Sequence, residues 1–342
     1  MNDENKETKN KLYSNKITEA YNYFKQKEYS ISINLLNEAI KIDSSKYEAF
    51  YYLSIVYSKQ RAYKMAVDYL KIALKKDNKE LKIYQEIVKN MQFYDIGSAI
   101  TFAEKALQKH QDYILCTMLA TLYSNTNNDF AAEKYFSKSI DLNPNYVLTY
   151  CELVSHFRKR NKLKEAVFYC EKLLKIEPEN LVFVSQLCLL YVEMKERTKA
   201  IQLIDSYTKN NSMSLSEIEK IAILYEQLQE KDKAMKYLSE AINFNTNNIK
   251  IYEKYLLYLE EKNSEINEKN ISLLISICEK ALLNSNPDIN FMLGTALLYA
   301  SSGRYKDANE LYLKVISIDK QNKIAKRGLE DINKSCRRGY EN

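Results

Sequence analysis

The sequence is short of the residues that turn a chain. Its 342 residues hold five Gly and three Pro, and no Trp. A β-sandwich or barrel needs a Gly- or Pro-bearing turn every several residues, so that class is excluded. Glycine-built phosphate sites go with it: there is no P-loop, no G-x-G-x-x-G and no H-E-x-x-H. Only two histidines occur, His110 and His156, and no C-x-x-C pair is found among the cysteines at 116, 151, 170, 188, 278 and 336. A metal site therefore lacks ligands, and thiols scattered in this way suit a reducing compartment. No apolar run approaches the ~18 residues of a membrane span. Met1 to Leu12 is polar and lacks the apolar core of a signal peptide. The expectation is a cytoplasmic protein without metal, cofactor or membrane span.

What is present favours helices. Hydrophobic residues make up 46% and charged residues 28%, with 51 Lys+Arg against 45 Asp+Glu for a net charge of +6. Of those cations 43 are Lys, spread along the chain among glutamates as on solvated helix faces. A nucleic-acid binder concentrates its basic residues on one face, often with Arg, so nucleic acid is a disfavoured partner. Lys, Glu, Leu, Ala and Ile suit many helices joined by short polar turns.

Self-comparison exposes a repeat. An Ala is followed four residues later by a bulky residue and three further on by another, as in Ala66-Leu70-Ala73, Ala99-Ala103-Ala106, Ala132-Phe136-Ser139, Ala166-Cys170-Leu173 and Ala234-Leu238-Ala241. First members fall at 32, 66, 99, 132, 166, 200, 234, 274 and 308, with gaps of 34, 33, 33, 34, 34, 34, 40 and 34. Nine residues before the motif stands an aromatic: Tyr23, Tyr57, Tyr123, Phe157, Tyr191, Tyr225 and Tyr299. Three residues before each aromatic comes Ala20, Ser54, Ala120, Val154, Cys188, Ala222 or Ala296. This spacing turns one helix face into a core. Small residues recur because closely crossing helices leave no room, and the aromatic fills the gap beside them. The unit is two antiparallel helices.

This pattern resembles the tetratricopeptide repeat, down to prolines closing the second helix at Pro144 and Pro178. The resemblance implies an all-α, right-handed α-solenoid of nine repeats: 13–46, 47–79, 80–112, 113–146, 147–180, 181–214, 215–248, 249–288 and 289–322. A polar tail at 1–12 precedes them, and a capping helix at 323–336 and a tail at 337–342 follow. The third repeat is degenerate, with Asn90 at the aromatic position. The eighth has Leu274 at the small position and six extra residues, the polar stretch 262–270 being read as a tolerated insertion.

Little chemistry is on offer. His110 falls in a turn and reads as exposed; His156, beside Phe157, could face a groove. Cys170, Cys188 and Cys278 take core places as small hydrophobes, while Cys151 falls at a groove position. With repeats and cap consuming the chain, no catalytic domain is expected, and the protein is read as a non-enzyme. In the family, the first helix of each repeat lines a concave groove. The matching positions give Tyr51, Tyr52, Ile55, Thr117, Met118, Thr121, Glu152, Ser155, Arg158, Gln186 and Leu189 as candidate partner contacts. In the seventh and eighth repeats these places hold Glu219, Lys220, Glu226, Lys250, Glu253, Lys254, Glu260 and Glu261, read as solvated charge. Tyr52 stands where the family's clamp for acidic chaperone C-termini needs Asn, so that ligand is rejected for the N-terminal repeats. The resemblance implies a scaffold or adaptor that binds another protein, as a peptide or helix. The rival is a helical-repeat RNA binder.

Overall fold

The computed structural model describes residues 2–262 and 268–338, with side chains placed for 6–259 and 271–333. Two compact units, Met1–Pro178 and Glu179–Asn342, divide the chain. In the first lie α1 (Asn2–Lys25), α2 (Tyr29–Ile42), α3 (Glu48–Lys59), α4 (Tyr63–Lys76) and α5 (Leu81–Met91). It continues with α6 (Ile96–Lys109), α7 (Tyr113–Asn125), α8 (Asp129–Leu142), α9 (Val147–Lys159) and α10 (Leu163–Ile176). The second holds α11 (Leu181–Glu193), α12 (Arg197–Asn210), α13 (Leu215–Gln227), α14 (Lys231–Asn243) and α15 (Ile249–Lys262). It ends with α16 (Glu268–Asn284), α17 (Ile289–Ser301), α18 (Tyr305–Ile318) and α19 (Lys323–Arg338). Among the described residues there is no strand. Each odd helix up to α17 packs on the even helix that follows it, and α19 packs on α18 and α17. The fold is an all-α solenoid of helix pairs.

The same backbone device closes the first helix of most pairs. Lys27, Arg61, Asn127, Asn161, Lys195, Gln229 and Gly303 all have positive φ, between 55° and 78°. Each lies four residues after the packing aromatic. The next residue's N–H then donates back to that aromatic's carbonyl, as Ala62 to Tyr57 at 2.9 Å and Glu230 to Tyr225 at 2.9 Å. This left-handed closure satisfies carbonyls that the helix end would orphan. Only one of the seven is glycine, so six side chains bear the left-handed conformation, which costs roughly 1–2 kcal/mol outside Gly, Asn and Asp. At the other ends, Asp95, Asp112, Asn128 and Asp288 accept from backbone N–H groups of the first turn, and Ser214 with Glu217 forms a reciprocal capping pair.

The core repeats with the same period. Ala66, Ala99, Ala132, Ala166, Ala200, Ala234 and Ala308 are fully buried where the paired helices cross. The packing aromatics do not stand alone. Tyr57 stacks on Tyr69, Tyr123 on Tyr135, Phe157 on Tyr169 and Tyr225 on Tyr237, with centroids 5.3–5.9 Å apart and planes within 11°. Each partner sits twelve residues on, in the second helix, adding about 0.5–1.5 kcal/mol beyond burial. In the third repeat Asn90 cannot stack, and Phe102, at the partner position, lies against Tyr84 instead.

One segment differs from expectation. The polar stretch expected as a tail is helical from Asn2, because Tyr13, 3% exposed under Ala49, anchors α1 and a nucleated helix extends cheaply through Lys, Glu and Asn. Residues 263–267 of the expected insertion and 339–342 of the expected tail lie outside the described residues.

Candidate partner-binding face

The first helices of the first unit carry an aromatic platform. Tyr51 and Tyr52, adjacent on α3, meet edge to face at 5.6 Å, and Tyr52 lies 5.9 Å from Tyr21 on α1. Tyr21 is 40% exposed and the α3 pair is half-buried. Lysines cover the rings: Lys25 Nζ is 4.6 Å from the Tyr21 centroid, and Lys82 Nζ on α5 is 5.4 Å from Tyr51 and 5.3 Å from Tyr47. Exposed contacts of this kind contribute about 0.5–1 kcal/mol each. Burial, with Glu86 nearby, pushes the Tyr51 phenol up to about 12, so it stays a hydrogen-bond donor at neutral pH. Tyr47 donates to Glu80 Oε2 at 3.1 Å. The structure thus joins two expected contacts, Tyr51 and Tyr52, to three that were not among the expected contacts, Tyr21, Lys25 and Lys82. Tyr21 and Lys25 stood at groove positions of the first repeat and could have been read there.

Further along, Ile55 is half-buried and Met118 packs on the core cluster of α5 to α7. Thr121 Oγ1 lies 3.3 Å from Glu152 Oε2, bridging α7 to α9, while Ser155 and Arg158 are exposed. Gln186 and Leu189, both half-buried, belong to the second unit, and the Gln186 Oε1 atom has no hydrogen-bond partner. Thr117 is a correction. It is 1% exposed, its hydroxyl 2.8 Å from Ser139 Oγ and 2.7 Å from Thr149 Oγ1. Three hydroxyls in contact satisfy one another and the Tyr113 carbonyl, so Thr117 turns into the core.

The third repeat places polar groups at core positions. Glu86 and Asn90, one turn apart on α5, stand where neighbouring repeats have apolar and aromatic residues. Asn90 donates to the Glu86 carbonyl at 2.8 Å, while Asn90 Oδ1 and Glu86 Oε2 are buried without a hydrogen-bond partner. Of the charged residues in the seventh and eighth repeats, Lys254 pairs with Glu226, and Glu219 accepts from Thr246. The Glu260 and Glu261 side chains lie outside the described residues.

One constellation matches nucleophile chemistry by residue type alone. His156 Nδ1 is 2.8 Å from Ser124 Oγ, and its Nε2 is 3.7 Å from Glu133 Oε1. The groove position expected for His156 is corrected: the residue is 1% exposed between Phe136 and Phe157. Ser124 is 7% exposed. Burial and then the Arg160 guanidinium hold the imidazole below its ordinary value, against the pull of Asp129 and Glu133. A neutral, enclosed imidazole packs α9 against α7 and α8. His110, half-buried rather than exposed, lies 5.0 Å from the Tyr84 ring. The cysteines at 116, 170, 188 and 278 are buried and in no disulfide, and burial pushes Cys116 up to about 11 and Cys170 up to about 12. Cys151 is half-buried, and its thiol too is pushed up by burial. Thiols so shifted are poor nucleophiles and poor ligands. Among the described residues no cluster could hold a metal, and no helix is long and apolar enough to cross a membrane.

Comparison with known proteins bears on these helix pairs. The tetratricopeptide-repeat model matches residues 113–146 and 288–322, and the model for subunit 3 of the anaphase-promoting complex, or cyclosome, matches 159–241. No curated protein matches the chain. Solved structures similar to it include a tetratricopeptide repeat protein from Parabacteroides merdae, at 16% identity over 73% of this chain and 99% of that one, with a TM-score of 0.47. The pilus biogenesis factor PilW is similar at 15% identity over 58% and 93%, with a TM-score of 0.49. A human IFIT1 dimer with m7Gppp-AAAA is similar at 14% identity over 85% and 68%, with a TM-score of 0.44. The family match falls on helix pairs that carry the small-residue and aromatic positions, and the chain carries tetratricopeptide repeats there, at 113–146 and 288–322.

Proposed function

We propose that this protein is a non-enzymatic, cytoplasmic scaffold that captures a partner protein, as an extended peptide or a helix, along its first helices. The observation that carries the reading is the half-exposed platform of Tyr21, Tyr51 and Tyr52 with Lys25 and Lys82 over its rings. Aromatic anchors dominate protein interfaces because two torsions fix a large contact area. Tyr57, Tyr69, Tyr123, Tyr135, Tyr169, Tyr225 and Tyr237 are engaged in stacking within their own helix pairs. The histidines, the groups best suited to acid–base work, are engaged in packing.

The test is affinity capture from the native lysate, with wild type set against a Tyr51→Ala, Tyr52→Ala, Met118→Ala, Arg158→Ala variant of equal helicity by circular dichroism. A defined protein recovered with wild type and lost with the variant supports the scaffold. Undiminished recovery with the variant moves the contact to another face. Rings beside lysines also suit single-stranded RNA. Recovery of RNA, with salt-sensitive binding to a homopolymer, sinks the protein-scaffold reading in favour of the helical-repeat RNA binder.

A further inference from the structure

Away from the tyrosine platform, in the second unit, α15, α16 and α17 bound a cavity of about 500 Å³. Its walls are Leu256, Leu274, Cys278, Phe291, Leu297 and Leu298. It opens to solvent past Gly294, Leu297 and Ser301, which are exposed, and its volume lies within the range of about 300–1,000 Å³ that ligand sites span.

Two departures from the repeat pattern meet here. Leu274 stands where other repeats have a small residue. Gly294 stands in α17 where the second to eighth repeats carry Tyr52, Gln85, Met118, Glu152, Gln186, Lys220 and Lys254. A glycine within a helix costs roughly 0.5–1 kcal/mol against alanine. Nothing in the packing requires it, since a Cβ built on Gly294 meets no atom within 4 Å. The missing side chain leaves the cavity open.

The lining also fixes the ligand's chemistry. Among the described residues no charged side chain lines it. The two hydroxyls have spent their protons on helix carbonyls, Thr295 Oγ1 donating to Phe291 at 2.9 Å and Ser301 Oγ to Leu298 at 2.9 Å. A charged or strongly polar group lying here would give up part of its water to apolar walls with no polar partner in exchange. An apolar one gains about 25 cal/mol for each Å² it hides. We infer that this cavity is a binding site for an uncharged hydrocarbon ligand, an alkyl chain or a fused aromatic ring system.

The experiment uses the full chain and the neutral fluorescent arene N-phenyl-1-naphthylamine, which brightens in apolar surroundings. Wild type is expected to give a saturable enhancement at one probe per chain. Gly294→Leu, whose side chain projects into open space, should weaken binding at least tenfold while keeping or raising the thermal midpoint. Gly294→Ala, which fits without any shift, should weaken it less and serves if the leucine variant fails to fold. Tyr51→Ala with Tyr52→Ala should bind the probe as wild type does, which separates this site from the scaffold face. No saturable signal from wild type, or wild-type affinity in a folded Gly294→Leu, overturns the assignment.

Discussion

Gly328 on α19 sets two ordinary rules against each other. A Cβ at this position would lie 2.4 Å from Tyr312 Cζ, 2.5 Å from Cε2 and 2.8 Å from the phenol oxygen. Helix propensity alone says that Gly328→Ala should stabilise by about 1 kcal/mol. Optimal carbon–carbon separation is about 3.5–4.0 Å, so this Cβ arrives more than roughly 1 Å too close. Relief requires the ring to move, yet Tyr312 is 1% exposed and packs with Met292, Val315, Ala325 and Ile332. Forcing a methyl into a filled core costs about 1–3 kcal/mol. The clash wins, and the net expectation is a loss of about 1 kcal/mol or more. Because solenoid stability is summed from neighbouring interfaces, the loss should fall on α19 first. Hydrogen exchange should report it as faster exchange of α19 amides, along with a lower urea midpoint. Gly294→Ala is the internal control, since the same substitution there meets empty space and should raise the midpoint. Tyr312→Leu should absorb part of the Gly328→Ala penalty in a double variant. A Gly328→Ala protein with slower α19 exchange and a higher midpoint would refute the close-approach argument.

Three further outcomes are expected. His156 is held neutral by burial and Arg160, with its folded pKa depressed below the ordinary value of about 6.5, so the unfolded chain takes up its proton first. Its contribution is whole above about pH 6.5 and declines as pH falls below that toward the folded value. The wild-type thermal midpoint should drop between pH 7.5 and 5.5 more than that of His156→Gln, and equal drops would remove the histidine from the account. At the left-handed closures, Gln229→Gly should raise stability by about 1 kcal/mol and Gly303→Ala lower it by a similar amount, read as opposite shifts in urea midpoint. Thr117→Val should cost about 1–3 kcal/mol by thermal unfolding, because it takes a hydroxyl from the buried group shared with Ser139 and Thr149. A neutral result would mean that those two hydroxyls re-pair without it.

The period was readable because each repeat solves the same packing problem with the same residues. Ala66 and Tyr57 recur at 34-residue steps since every helix crossing leaves the same gap. The stacking partners were equally readable, three residues after the motif's first member at Tyr69, Tyr135, Tyr169 and Tyr237. Thr117 was misassigned for a different reason. Position five lies at the boundary between groove and core, and the choice is made by residues 22 and 32 places away, Ser139 and Thr149. No pattern confined to one repeat contains that information. Lys25 and Lys82 are less legible still, because a long lysine stem reaches several rings and only the packed helices decide which one it covers. Gly294 and Gly328 complete the contrast, for both are glycines inside helices. One faces open space and the other a buried ring, a difference made by neighbouring helices and not by the glycine's own sequence surroundings. Local side-chain chemistry therefore determines which helices form and which faces they bury. The distances between those helices determine where a face remains open to a ligand.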